Sequence, residues 1–168
     1  MAAHATVNVL TEQDLNRLQL STLQYYLHEA NPENGLIRDK TEKTAIVYAA
    51  GRGFPDIVNL LLDHGVDINA RYGNDLTVLM WAAGYSDEAG TQDMEKVIKL
   101  LLDRGARVDD QDNRGRTPLM IAAELNHTVA VDLLLARGAD KTLRDKQGKS
   151  AADLTTLTAL REKLAATQ

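Results

Sequence analysis

The stretch "TPLMIAAELNHTVAVDLLLARGAD", Thr117 to Asp140, reads as two short helices joined by a turn. Thr117 is a helix-capping residue type, and Pro118 stands at the first helical position, where its missing N–H costs nothing. Leu119, Ile121, Ala122 and Ala123 follow, and the paired alanines let a neighbouring helix approach closely. Asn126-His127 makes the turn. Val129, Val131, Leu133, Leu134 and Leu135 give the second helix its apolar stripe, and Gly138 ends it in the left-handed region. "ADKTLRDKQG" then carries the chain out and back as an extended finger.

The same wording occurs twice upstream, as "TAIVYAAGRGFPDIVNLLLDHGVD" from Thr44 and as "TVLMWAA" from Thr77 followed by "VIKLLLDRGAR" from Val97. Thr44 to Thr77 is 33 residues and Thr77 to Thr117 is 40, while Leu60 to Leu100 is 40 and Leu100 to Leu133 is 33. Thr44–Leu60 and Thr117–Leu133 are both 16 apart, but Thr77–Leu100 is 23. One 33-residue period therefore holds, with seven extra residues inside one unit, within Tyr85 to Asp93. A period of this size points to a stacked solenoid.

These units resemble ankyrin repeats, whose pattern runs G-x-T-P-L-H-x-A-A, then G-H, L-L-L and G-A-D-V-N. The matching stretches are "GRTPLMIAA", "NHTVAVDLLLARGAD", "LLLDHGVDIN" and "LLLDRGARVD", and they cover about residues 39–150. The resemblance implies an all-α solenoid of stacked helix-turn-helix units with short finger loops. Two departures stand out. The family's turn glycine is kept at Gly115 and Gly148 but replaced by Glu42 and Asp75. The family's histidine is Val47, Met80 and Met120 here, so the local hydrogen bonds it makes are not expected.

The expected organisation is a single domain, 1–168. It comprises a degenerate N-terminal cap over 11–38 with helix starts near Thr11 and Ser21, then repeats over 39–71, 72–111 and 112–144, and a C-terminal cap over 145–168. The middle repeat carries the insertion near 86–92, "SDEAGTQ", read as a long polar loop. The C-terminal cap is expected to hold one final amphipathic helix, burying Leu154, Leu157, Leu160 and Leu164 and turning Arg161, Glu162 and Lys163 to water. Solenoids need such polar-faced ends.

Composition narrows the function classes. A net charge of −5 argues against phosphate-backbone binding. The absence of cysteine removes disulfides, thiolate metal sites and cysteine nucleophiles. No apolar run approaches membrane-spanning length. The start "MAAHATVNVL" lacks the segments of a signal peptide, yet Ala3-His4-Ala5 has the small-residue form of a cleavage end. A cytoplasmic chain and an exported, bacterial periplasmic one both remain open.

Catalytic chemistry is not indicated. The four histidines lack metal-ligand spacing; His127 fits the family's turn histidine and His64 a helix C-terminus. Asp109, Asp110 and Asp112 are expected at a solvated finger tip, where nothing tunes their acidity. "GRG", Gly51 to Gly53, falls in a helix–helix turn with no Walker-type lysine after it. Trp81, the one tryptophan, is read as packing or half-buried. No catalytic residue, cofactor or metal is expected.

What remains is recognition of a protein. In ankyrin-repeat proteins the fingers and the exposed ends of the first helices form a concave partner-binding surface. Carried onto this chain, the resemblance implies a surface of Lys43, Arg52, Arg71, Tyr72, Asn74, Leu76, Tyr85, Arg114, Arg116, Glu124, Leu125, Gln147 and Lys149. The expected function is non-catalytic binding of a partner protein by a chain that is monomeric when free. The alternative is an inhibitor or immunity-type protein that occludes a partner enzyme's active site. Charge is also uneven: residues 141–168 hold six basic and three acidic side chains.

Overall fold

The computed structural model describes residues 45–84 and 91–165. The expected N-terminal cap, Lys43 and Tyr85 lie outside them. Eight helices follow one another among the described residues: α1 (Ala45–Gly51), α2 (Pro55–Asp63), α3 (Val78–Gly84), α4 (Thr91–Asp103), α5 (Pro118–Glu124), α6 (Thr128–Ala136), α7 (Ala151–Leu154) and α8 (Thr158–Ala165). The one described bridge of strand type is isolated, between Tyr72 and Leu76. The expected all-α stack of helix-turn-helix units is what forms.

The helices make two rows. The first helices of the units, α1, α3, α5 and α7, stack in series, and α2, α4 and α6 stack behind them. The alanine pairs explain the close first row: Ala49-Ala50, Ala82-Ala83 and Ala122-Ala123 are buried at equivalent places. Ile46, Leu79 and Leu119 fill the space between, with Val58, Leu101 and Leu134 from the second row. Truncating such a side chain to Ala typically costs about 2–5 kcal/mol. Gly84 shows how tight the row is, since a Cβ there would stand 2.7 Å from Ile121 Cγ2.

Helix ends follow the capping residues. Thr117 Oγ1 accepts from Met120 N–H at 3.3 Å, and Thr77 Oγ1 does the same for Met80. The capping hydroxyls thus serve the turn where the family's histidine is absent, and both methionines are simply buried. His64 closes α2, its Nδ1 lying 2.8 Å from Leu60 O.

Three expectations need correction. The insertion is not wholly a loop. Both α2 and α6 have 9 residues, whereas α4 has 13 and ends at the equivalent aspartate, so four of the seven extra residues extend its N-terminus by a turn. The C-terminal cap is two helices, because "TTL", 155–157, leaves the helical path between α7 and α8. Leu157 in that break is 43% exposed, while Leu160 and Leu164 are buried as expected. Val129, placed on the apolar stripe of α6, also lies exposed near its start.

Candidate functional site

The candidate surface is built from the fingers and the first-row helices they precede. Each of the three described fingers closes on the same backbone bond, from Tyr72 N–H to Leu76 O at 3.0 Å, Asp112 to Arg116 at 3.0 Å, and Asp145 to Lys149 at 2.9 Å. In the second and third fingers an aspartate organises the turn. Asp112 Oδ1 accepts from the Arg114 and Arg116 amides at 2.8 Å each; Asp145 Oδ1 accepts from those of Gln147 and Lys149 at 2.8 and 2.9 Å. The first finger has Tyr72 in that place and adopts a 3-10 turn, Gly73–Asp75, instead.

The fingers are also tied to one another. Asn113 N–H donates to Asn74 O at 3.0 Å and Lys146 N–H to Arg114 O at 2.9 Å. Behind them, Asn69 Oδ1 accepts from Arg107 N–H at 2.9 Å and Asp109 Oδ1 from Asp140 N–H at 3.0 Å. Ion pairs Asp63–Arg104 and Asp103–Arg137 repeat along the second row, each exposed and so worth about 0–1 kcal/mol. These links fix the spacing between units.

The expected binding residues divide into groups. Arg114, Gln147 and Lys149 are exposed on the second and third fingers. Leu125 is 47% exposed just after α5, and Leu76 is half-buried at the base of the first finger. Tyr72 is half-buried and packs on the core, while Asn74 lies at the exposed first fingertip. Arg52 lies 5.3 Å over the Tyr48 ring and donates to its hydroxyl at 3.2 Å. Arg71 stays exposed but is tied to the next finger, donating to Gln111 O at 2.7 Å and facing Asp110 at 3.8 Å.

Arg116 does not stand free at the surface. It is buried, with Nε 3.3 Å from Asp112 Oδ2 and Nη1 on Glu124. The structure therefore brings together two expected binding residues as each other's partners. The solvated finger-tip aspartates are corrected too. Asp112 is buried under its finger, and Asp110 is mostly covered and 3.2 Å from Arg107 Nε. The repeat of an aspartate at 112 and 145, four residues before a finger base, is the signal in the sequence for this inward role.

Trp81 is half-buried against the core, as expected. Two carboxylates are more acidic than usual: Asp140, held low by hydrogen bonds from the Thr142 hydroxyl and amide, and Asp153, by those from the Ser150 amide and hydroxyl. Both serve turns or caps. No group of three or more His, Asp or Glu among the described residues is placed to hold a metal ion. No described helix is long and apolar enough to cross a membrane.

A family model described as ankyrin repeats matches residues 14–90 and 75–145, in 3 copies. The chain is similar to Ankyrin repeat and KH domain-containing protein mask of Drosophila melanogaster, 39% identical over 116 residues, which is 67% of this chain and 3% of that protein. It is similar to Potassium channel AKT2/3 of Arabidopsis thaliana, 34% identical over 128 residues, 62% of this chain and 16% of the channel. It is also similar to Ankyrin repeat domain-containing protein 63 of Mus musculus, 39% identical over 85 residues, 51% of this chain and 20% of that protein. The chain thus spans a fifth or less of the length of these relatives.

Proposed function

The chain belongs to the ankyrin-repeat family, and from that premise we propose that it is a non-catalytic module that binds a partner protein across its fingers and first-row helices. Ankyrin repeats are in general protein–protein interaction modules. The observation that carries the reading is the backbone tie between fingers, Asn113 to Asn74 and Lys146 to Arg114. It holds the fingers as one pre-formed surface, so binding loses little ordering entropy. Leu125, exposed after α5, and the half-buried Leu76 at the base of its finger add apolar side chains to that surface.

The test is affinity capture with the intact chain, with a Leu76→Asp, Leu125→Asp variant and with Lys99→Ala on the second row. A partner retained by the first and third baits and lost by the second supports the reading. Equal retention by all three sinks it.

Occlusion of a partner enzyme's active site is the narrower form of this function. The extra turn that begins α4 at Thr91 favours it, since it extends one helix beyond its counterparts in the stack. Assaying a captured enzyme with and without the chain decides it: unchanged turnover at saturation removes the inhibitor reading.

A further inference from the structure

The second and third fingers turn their carboxylates inward and their cations outward. Asp112 is spent on the Arg114 and Arg116 amides and on the Arg116 guanidinium, and only 1% of its side chain is exposed. Asp145 is spent in the same way on the Gln147 and Lys149 amides. Arg114, in contrast, has 63% of its side chain exposed and only a distant 3.8 Å approach to Asp112. Lys146 and Lys149 are exposed and take part in no ion pair among the described residues. The cations of these fingers therefore reach solvent while Asp112 is covered and paired with Arg116 and Asp145 is half-buried.

Register explains why Lys149 is left uncompensated. It occupies the place of Arg116 one repeat later, and Leu157 stands where Glu124 would be. The lysine so lacks one of the two acids that hold Arg116, and although Asp145 stands in the place of Asp112, it binds the Lys149 amide and forms no ion pair with its ammonium. The bond from Lys146 N–H to Arg114 O at 2.9 Å sets the two fingertips side by side, and the Lys146 stem lies along Gly115, where a Cβ would meet its Cγ at 3.3 Å. Two tied fingers thus carry three exposed cations, Arg114 and Lys146 at the joined tips and Lys149 at the base of the later one. The first finger, with Asn74 and Asp75 at its tip, offers nothing comparable.

We propose that the edge formed by Arg114, Lys146 and Lys149 docks an extended acidic segment of the partner protein, each carboxylate meeting an exposed cation. This deepens, and rests on, the protein-binding reading. Nucleic acid fits less well. The tips between the cations carry Asn113 and Gln147, with no aromatic ring on which a base stacks, and the chain as a whole is −5. A lipid surface fits less well too, since no apolar side chain stands among the three cations.

The test is fluorescence anisotropy with the full chain and a labelled peptide of alternating Glu and Ser. The peptide of alternating Gln and Ser, a labelled oligothymidylate and phosphatidylserine vesicles are the competitors. The acidic peptide is expected to bind saturably and the Gln peptide not to bind. Reversal to Arg114→Glu, Lys146→Glu, Lys149→Glu is expected to weaken binding about tenfold or more, and added salt to weaken it in the native chain. The neutral Arg114→Gln, Lys146→Gln, Lys149→Gln variant is expected to lose binding to a smaller extent, and the unfolding midpoints of both variants show that they fold. Equal binding of the two peptides, unchanged binding by the reversed chain, or tighter binding of oligothymidylate or vesicles overturns the proposal. Leu76→Asp, Leu125→Asp should still bind the acidic peptide, so failure at the fingertips and failure of the wider surface are separate results.

Discussion

The Arg116 guanidinium is held between the buried Asp112 carboxylate and the exposed Glu124 carboxylate, one at each end of its own finger and helix. The two acids are not equivalent. Asp112 has 1% of its side chain exposed and has Arg116 as its nearer charge partner, with Arg114 at 3.8 Å, whereas Glu124 is 44% exposed and can turn to water. Arg116→Ala should cost roughly 3 kcal/mol, because it leaves the buried Asp112 charge with only its two amide donors and the more distant Arg114. Glu124→Ala should cost less than about 1 kcal/mol. Urea unfolding of the two variants measures both, and equal losses would mean that Asp112 is not the dependent partner.

The His127 ring crosses between units, its Nδ1 lying 2.8 Å from Ala83 O. A carbonyl only accepts, so Nδ1 carries the proton in this contact. The equivalent residue before α2 is Phe54, which offers no such donor. His127→Phe should therefore lose about 1 kcal/mol of stability while keeping bulk at the turn. Denaturant midpoints check this, and a neutral substitution would show that the contact is silent.

The fold was legible because a period of 33 residues recurs across several units and is insensitive to any one residue. Thr117, Pro118 and the alanine pairs each specify a local geometry that the stack then uses. The surface was less legible. Arg116 and Arg114 read alike as finger arginines, yet one is neutralised inside the fold and the other is not. What separates them is the inward turn of Asp112, a tertiary fact. Leu157 differs for a similar reason: its spacing suits a helix stripe, but the chain turns at 155–157 and the stripe begins again at Leu160.

The turn glycine missing from the first described finger has a measurable consequence. Gly115 and Gly148 have φ of 78° and 79°, and Asp75, which replaces them in register, sits at 61° beside Asn74 at 64°. A left-handed backbone costs a residue with a Cβ about 1 kcal/mol relative to glycine. Asp75→Gly should therefore stabilise the chain by up to about 1 kcal/mol, offset in part by the greater freedom of glycine in the unfolded state. A rise in the urea midpoint at unchanged slope is the expected result; a fall would mean that the Asp75 side chain makes a contact worth more than the strain.

Acid should loosen the C-terminal end in a defined window. The Asp153 carboxylate accepts from the Ser150 amide at 2.9 Å and its hydroxyl at 2.7 Å, and these bonds favour the charged form. Asp140 is favoured likewise by the Thr142 hydroxyl and amide. Both folded values lie below the usual 3.8, so the unfolded chain takes up protons first as pH falls. The stability these groups contribute is full above that unfolded value and is lost as pH drops through the lower folded one. Asp153→Asn keeps an acceptor but does not titrate. Its difference from the native chain in unfolding free energy should be constant from neutral pH to about pH 5 and shrink below about pH 4. A difference that holds constant down to about pH 3 would mean that the charge on Asp153 contributes nothing to the cap.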